Sequence, residues 1–394
     1  MTEDIKEIKI SVRNLVEFIL RSGDLDNSHG SRNEVEAMQA GSRIHRKLQK
    51  QMGANYIAEV PLSITFPVTH GDVTFELTIE GRADGIIEND ISDDFSMLIF
   101  EEADKDNPEI TIDEIKGVYM DLAYLKEPIG VHMAQAMCYG YIYGTKYQHK
   151  QIGIQVTYCN LETENLKYFK EVFTLEELTH WFDQLIREYA KWAVWQMKWN
   201  VIRDVEIMKL DFPFPYRPGQ KELVEGVYKT ILRKKKLFIE APTGVGKTLA
   251  TVFPTVKAMG MGIATKIFYL TAKTITRTVA EDTFHLLMEQ GLRMKVTTIT
   301  AKEKICILDK PDCNPLSCPR AKGHFDRVNE AVYDLLTNEN EISRELIQEY
   351  ARKHNVCPFE MSLDVTLWSD AIICDYNYAF DPNVYLRRFF TNNK

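Results

Sequence analysis

The feature that most restricts how this chain can fold is an apolar segment followed by a glycine turn and a lysine. Residues 238–248 read FIEAPTGVGKT, which predicts a strand, a tight turn and the start of a helix. Gly244 and Gly246 allow the backbone N–H groups to curl around a phosphate, and the helix N-terminus adds its positive dipole end. In such a loop Lys247 contacts the β- and γ-phosphates of ATP, and Thr248 binds Mg²⁺. The segment therefore predicts an ATP-binding domain of the α/β class.

The pattern of apolar residues divides the 394 residues into two domains and an insert. Residues 1–205 predict an α+β domain, because strand-like segments such as EVPLSITFPV, VTFELTIEGRADGII, LIFEE and ITIDEIKG alternate with helical ones. The proline-rich stretch DFPFPYRPGQ marks a boundary near residue 210. Beyond it, short apolar strands lead into helices, which is typical of a doubly wound parallel sheet at 206–301 and 366–394. A largely helical, cysteine-bearing insert interrupts this sheet at 302–365.

Charge and composition restrict the function classes. Lys and Arg number 48 against 57 Asp and Glu, so a nucleic acid has to be bound by local basic surface rather than by net charge. The first residues lack an apolar signal region, and no stretch approaches the roughly 18 uninterrupted apolar residues of a membrane span. We therefore expect a cytoplasmic protein without membrane contact. Seven cysteines, an odd number, favour thiols or metal ligands over a disulfide framework.

The phosphate loop and two flanking segments resemble motifs of superfamily 2 helicases. The loop has Ala241 where the general pattern has glycine, and this AxTGxGKT form resembles those helicases. The upstream letters YRPGQ resemble their adenine-side motif, which implies that Arg217 and Gln220 flank the base. The downstream letters YLTAKT resemble the motif that contacts a single-stranded backbone, which implies DNA contacts by Thr271 and Lys273.

Four cysteines of the insert are separated by 6, 4 and 38 residues. A zinc knuckle usually has a close pair at both ends, and the second pair is missing here. Structural zinc and small core residues stay open as alternatives. The KIC start, the CPF end and the position between two strands resemble the XPD/DinG family of iron–sulfur helicases. That resemblance implies a [4Fe–4S] cluster ligated by Cys306, Cys313, Cys318 and Cys357. The remaining cysteines lie in apolar segments and are predicted core residues: Cys138, Cys159 and Cys374.

In the first domain an aspartate precedes an acid-x-lysine strand. Asp84 lies in GRADGI, and DEIKG contains Glu114 and Lys116. Alternate residues of a strand share a face, so Glu114 and Lys116 point to one side, where Asp84 can join them from a neighbouring strand. Carboxylates are ligands that Mg²⁺ prefers, and Lys116 can orient water or stabilise developing charge. Asp113 is an alternative metal ligand, although the spacing favours Glu114.

Further residues of this domain resemble the RecB-type branch of the PD-(D/E)XK nucleases. They are the early helical letters GSRIH, Glu59 in EVPLS, and Gln135 and Tyr139 on a later helix. The resemblance implies a restriction-endonuclease-like α+β domain with Mg²⁺ or Mn²⁺ bound by His45, Asp84 and Glu114. Because Gln135 and Tyr139 are four residues apart, they share a helix face and can contact DNA or the catalytic strand.

Together the resemblances imply a helicase with an attached nuclease, acting on DNA that is single-stranded or has a single-stranded tail. Hydrolysis by such motors requires an Asp-Glu pair, and no such dipeptide follows Thr248. Asp375 is followed by Tyr376 where the glutamate would stand. We therefore expect a front fragment that binds ATP with little turnover. The alternatives are a nucleic-acid-binding module that holds ATP and, less consistent with the insert cysteines, a signalling or transport NTPase.

Overall fold

The structure is a computed structural model that describes residues 6–26, 34–89, 108–242, 244–272, 274–382 and 384–390. It contains two compact units. The first comprises Met1–Ser22 and His29–Trp195, and the second comprises Gly23–Ser28 and Gln196–Lys394. The sequence predicts a change of domain near residue 205, and the units divide ten residues earlier, inside a long aromatic helix.

The first unit is built on a mixed sheet that has six strands in the described part of the chain. The strands are β1 (Glu7–Ser11), β2 (Tyr56–His70), β3 (Val73–Glu88), β4 (Ile110–Val118), β5 (Gln151–Asn160) and β6 (Leu166–Thr174). Their order is β1-β3-β4-β5-β6, with β2 also paired to β3. Strands β4 and β5 are parallel, whereas β3 pairs antiparallel with both β2 and β4. The strands predicted around EVPLSITFPV, VTFELTIEGRADGII and ITIDEIKG are confirmed, and LIFEE lies outside the described residues.

The helices of this unit are α1 (Val12–Ile19), α2 (Glu34–Gln51), α3 (Gly130–Tyr147) and most of α4 (Leu175–Lys209). Helix α3 packs closely on β5, since a Cβ added to Gly140 would lie 2.7 Å from the side chain of Ile154. Strand β5 is buried at all ten positions, as expected for a strand covered on both faces. Strand β5 lies between β4 and β6, and its parallel pairing with β4 helps to position the acid-x-lysine residues of β4.

The second unit contains a parallel sheet of order β7-β10-β8-β9. Its strands are β7 (Ile267–Thr271), β8 (Val296–Thr298), β9 (Glu341–Ile342) and β10 (Ala371–Asp375). Helices α5 (Gln220–Leu232), α6 (Lys247–Gly260) and α7 (Thr274–Glu289) accompany the sheet, and Phe253, Phe284 and Ile373 belong to its core. The predicted parallel α/β architecture of this region is therefore confirmed.

A buried charge network stabilises this unit. Asp370, 3% exposed, lies just before β10. Its carboxylate accepts hydrogen bonds from Arg203 Nη1 (2.6 Å), Trp199 Nε1 (2.9 Å) and Lys295 N (2.7 Å). Because Trp199 and Arg203 lie near the end of α4, the network attaches these last turns to the sheet.

The segment before the phosphate loop differs from the prediction. Leu237, Phe238 and Ile239 have no strand assignment, and Phe238 is 94% exposed. A strand requires a neighbour whose N–H and C=O groups meet its own. Within the described residues the four strands of this sheet pair only with one another. The apolar run alone was therefore an insufficient basis for predicting a strand.

The region predicted as a helical insert, residues 302–365, is largely helical. It contains α8 (Lys302–Ile305), α9 (His324–Asn338), α10 (Arg344–Lys353) and α11 (Pro358–Val365), and it also contributes β9 to the sheet. Two short helices follow β10, namely α12 (Asn377–Phe380) and α13 (Arg387–Phe390). No helix in the described ranges is both long enough and apolar enough to cross a membrane.

Candidate functional site

Two carboxylates from adjacent strands meet in the first unit. Asp84 lies on β3 and Glu114 on β4, where Gly85 is paired with Asp113. The backbone N–H of Ile115 donates to Asp84 Oδ2 at 2.8 Å, which holds the Asp84 carboxylate next to β4. Burial, followed by the charge of Asp84, raises the pKa of Glu114 above its ordinary value. The geometry therefore concentrates negative charge in a place with little solvent, where a cation would relieve the repulsion.

Lys116 lies between Glu114 and helix α3. Its ammonium Nζ is 2.8 Å from Glu114 Oε1 and donates to Gln135 Oε1 at 2.7 Å. The other carboxylate oxygen, Glu114 Oε2, is buried and has no hydrogen-bond partner within the described residues. Leaving such an oxygen unpaired is costly. A carboxylate oxygen beside a second carboxylate is a suitable ligand for a hard divalent cation such as Mg²⁺.

His45 and Gln49 approach Asp84 from helix α2. His45 Nδ1 is 3.5 Å from Asp84 Oδ1. Burial alone would lower the pKa of His45, but the hydrogen bond and charge of Asp84 outweigh it and raise that pKa. Gln49, one turn later, donates to Asp84 O (2.9 Å) and to Glu59 Oε1 (3.0 Å). His45 is thus close to the Asp84 carboxylate, and Gln49 links Glu59 to the Asp84 backbone.

Gln135 and Tyr139 lie on the same face of α3, but both are buried, at 3% and 6% exposure. Gln135 supports Lys116 through the hydrogen bond described above. The Tyr139 ring packs on Gly81, where an added Cβ would lie 2.7 Å from Tyr139 Oη. These contacts lie within the protein, so a DNA contact by either residue stays a prediction.

Asp113, the alternative metal ligand, faces the other side of β4. Its fully buried carboxylate accepts from Thr157 Oγ1 (2.5 Å), Gln155 Nε2 (2.8 Å) and Tyr56 Oη (3.2 Å). These donors satisfy the carboxylate without a metal. This network was not predicted from the sequence, although Gln155 and Thr157, two polar residues two positions apart in an otherwise apolar strand, were a signal for it.

The phosphate loop of the second unit has the predicted turn. Gly244 and Gly246 adopt φ values of 84° and 77°, which favour glycine, and α6 begins at Lys247. Lys247 Nζ donates to the carbonyl oxygens of Ala241 and Pro242, each at 2.9 Å. Thr248 follows in the first turn of the helix.

The two residues predicted to flank the adenine, Arg217 and Gln220, lie against this loop. The Arg217 guanidinium donates to the Gly244 carbonyl oxygen. Gln220 is 4% exposed, and a Cβ added to Gly246 would lie 2.6 Å from its Nε2. The structure thus brings the upstream motif and the glycine turn together, as expected for two parts of one nucleotide site.

Of the two residues predicted to contact DNA in this unit, only Thr271 belongs to the described part of the chain. Thr271 ends β7 with 7% exposure, and its hydroxyl lies 3.5 Å from Cys374 O, so its side chain is oriented into the sheet. Lys273 lies outside the described residues. Asp375 Oδ1 accepts from the backbone N–H of Asn377 at 2.9 Å and thereby stabilises a turn.

The four insert cysteines, although far apart in sequence, line one small cavity: Cys306, Cys313, Cys318 and Cys357. Thiol sulfurs are the ligands of iron–sulfur clusters, so the donor set fits such a group. Lys302 is hydrogen-bonded to Cys313. Burial lowers the pKa of Arg320, and the nearby sulfurs of Cys318, Cys357 and Cys306 partly offset this effect. Burial raises the pKa of Cys357 to about 11. Cys138, Cys159 and Cys374 are fully buried, which confirms that they are core residues.

Neither set is a preassembled metal site. In the part of the chain that the structure describes, no group of three or more His, Cys, Asp or Glu side chains is already arranged to hold a metal ion.

Comparison with known proteins gives distant relatives. No family model matches the chain. It is 24% identical over 223 residues to a regulator of telomere elongation helicase 1 homolog of Caenorhabditis elegans, covering 45% of this chain and 22% of that protein. It is 46% identical over 48 residues to a probable ATP-dependent helicase of Methanocaldococcus jannaschii, covering 12% of this chain and 7% of that protein. A solved XPD helicase aligns with a TM-score of 0.31 and 15% identity, over 45% of this chain and 31% of that one.

The chain thus spans about a fifth or less of the length of the curated relatives described here. These sequence matches cover less than half of the chain, and both matching proteins are described as helicases. Over these segments the chain is therefore distantly similar to a telomere-elongation-regulator helicase and to a probable ATP-dependent helicase.

Proposed function

We propose that the first unit is a Mg²⁺-dependent DNA nuclease and that the second unit is the ATP-binding part of an iron–sulfur DNA helicase, acting together on DNA in the cytoplasm. The buried, unpartnered Glu114 Oε2 beside the Asp84 carboxylate is the observation that carries the nuclease proposal. Distant homology to helicases, combined with the phosphate loop, carries the motor proposal.

In the nuclease, Asp84 and Glu114 would hold the metal ion, with His45 as a third ligand in its neutral form. A bound Mg²⁺ supplies polarisation of the phosphodiester and a more acidic water molecule. Lys116 is restrained by Glu114 and Gln135, so its ammonium is already oriented when substrate binds. It would stabilise the negative charge that develops on the phosphate.

DNA cleavage by the purified chain tests this proposal. We expect labelled single-stranded DNA to be degraded in Mg²⁺ and to stay intact in EDTA, and Asp84→Asn to abolish degradation. Asp72→Asn serves as the control, since this exposed aspartate lies in the turn between β2 and β3, at the opposite end of β3 from Asp84. A wild-type chain that retains DNA without cutting it would contradict the nuclease and favour a binding module.

In the second unit, Gly244, Gly246, Lys247 and Thr248 would hold the phosphates and Mg²⁺ of ATP, with Arg217 and Gln220 on the adenine side. The four insert cysteines would hold a [4Fe–4S] cluster, which the positive charges of Lys302 and Arg320 would favour. We expect anaerobically purified protein to contain about four irons per chain. Stoichiometric zinc without iron or sulfide would contradict the cluster.

One observation favours ATP binding without turnover as a second candidate. Asp375 stabilises a turn through Asn377, and Tyr376 occupies the next position, so this strand end lacks an acidic pair for water activation. We expect little DNA-stimulated ATP hydrolysis by this chain. Robust hydrolysis that Lys247→Ala abolishes would show that another residue activates the water.

A further inference from the structure

A segment near the N-terminus closes one side of the cysteine cavity. We call residues 23–26 the N-terminal strap; they belong to the second unit, although about 300 positions separate them from the insert. Four hydrogen bonds attach the strap to the turn before α9 and to the first turn of that helix. They are Leu25 N to Ala321 O (2.8 Å), Phe325 N to Gly23 O (3.0 Å), Gly23 N to Asp326 Oδ1 (2.7 Å) and Gly323 N to Asp24 Oδ1 (2.6 Å).

These hydrogen bonds are reciprocal. Each side donates two backbone N–H groups, and each side contributes one aspartate as an acceptor. Asp24 accepts from the insert, whereas Asp326 accepts from the strap. An accidental contact between a loop and a surface rarely satisfies donors and acceptors on both sides. The strap is therefore a specific part of the insert's structure.

Leu25 places this strap on the cysteines. It is 7% exposed, whereas its neighbours Asp24 and Asp26 are exposed. Its side chain packs with Cys318 and Ala321, and it lines the same cavity as the four cysteines. A single apolar side chain between two exposed aspartates is thus directed at the sulfurs.

We propose that the N-terminal strap shields the cysteine site, and Cys318 above all, from oxidants, chelators and alkylating reagents in solvent. A buried thiol reacts only when local structure opens, so its reactivity depends on the interactions that keep it closed. The strap supplies the Leu25 side chain and four hydrogen bonds to that closed state. The shielding of an iron–sulfur cluster rests on the proposed function, whereas the shielding of the thiols does not.

The test measures one of two rates, chosen by whether the purified protein contains iron. If iron is bound, its transfer to a chelator in air is followed by the loss of visible absorbance. If iron is absent, alkylation of Cys318 under reducing conditions is followed by mass spectrometry of its peptide. Leu25→Ala should accelerate the relevant rate by about tenfold or more, because it removes most of the side chain that covers the sulfurs.

Two further variants make the test specific. Leu122→Ala truncates a leucine of the first unit with the same 7% exposure and should change neither rate. Asp24→Ala removes one hydrogen bond without altering the cavity wall and should give a smaller acceleration of the same kind. The shielding proposal is wrong if both strap variants, with wild-type circular dichroism, retain the wild-type rates. If the protein contains no iron and the strap variants are alkylated faster than wild type, the cluster proposal is wrong and the shielding proposal is supported.

Discussion

Replacing Glu114 by glutamine separates the effect of the buried carboxylate on folding stability from its proposed role in binding a metal ion. In EDTA, ionised Glu114 is disfavoured, because burial and the Asp84 charge raise its pKa. Glutamine removes that charge and keeps the shape, although the ion pair with Lys116 is lost. These effects oppose each other. We therefore expect the free energy of unfolding of Glu114→Gln, obtained from a thermal melt without metal, to lie within about 1 kcal/mol of that of wild type.

With Mg²⁺ or Mn²⁺ the two proteins should differ. An ion that binds only the folded state at a hundredfold excess over its dissociation constant stabilises by about 2.7 kcal/mol. For a unit of this size, such a gain raises the melting temperature by about 5–10 °C. Wild type should show this rise in a thermal melt, and Glu114→Gln should lose most of it, since a neutral amide is a poor ligand for these cations.

Asp113→Asn is the matched control, because it changes the adjacent carboxylate on the opposite face of β4. Its amide would leave Thr157 or Gln155 without an acceptor, so we expect a loss of about 1–3 kcal/mol in EDTA. The metal-induced rise should nevertheless survive. A rise retained by Glu114→Gln, or lost in Asp113→Asn, would refute the assignment of Glu114 as the ligand.

Three other changes address separate parts of the structure. Gly81→Ala should displace the Tyr139 ring and reduce DNA cleavage about tenfold or more with a small change in melting temperature, measured side by side. Lys247→Ala should abolish the stabilisation by Mg²⁺-ATP in a thermal melt, and an unchanged shift would exclude the phosphate loop as the binding site. Asp370→Ala should destabilise the protein by about 3–5 kcal/mol in urea unfolding, since it removes the buried acceptor of Arg203 Nη1, Trp199 Nε1 and Lys295 N and leaves Arg203 with Asp204 alone.

Much of the first unit was predictable because its signals are local. The alternation of Glu114 and Lys116 along a strand places both on one face, and the GRADGI letters supply the neighbouring strand. The sequence left Asp113 and Glu114 as competitors for the metal. Only the pairing of β4 with β5 shows that Asp113 faces Gln155 and Thr157.

Features that depend on distant parts of the chain were not predictable. The apolar segment around Phe238 resembles a strand, but strand formation depends on a partner that the local sequence does not specify. The burial of Leu25 could not be predicted either, because one leucine in a polar segment has no periodicity and the residues that the strap contacts are about 300 positions away. Spacing alone could suggest four cysteines as ligands, and the fold brings them to one cavity.

Cleavage of DNA by Lys116→Ala tests the central claim most directly. This change removes the ammonium held at 2.8 Å from Glu114 and leaves both proposed metal-binding carboxylates in place. We predict that Mg²⁺-dependent cleavage falls by about 10²–10³-fold, with DNA binding by gel shift unchanged and with the exposed Lys126→Ala retaining wild-type activity. Cleavage by Lys116→Ala at the wild-type rate, in protein free of contaminating nuclease, would contradict the assignment of this site as a nuclease.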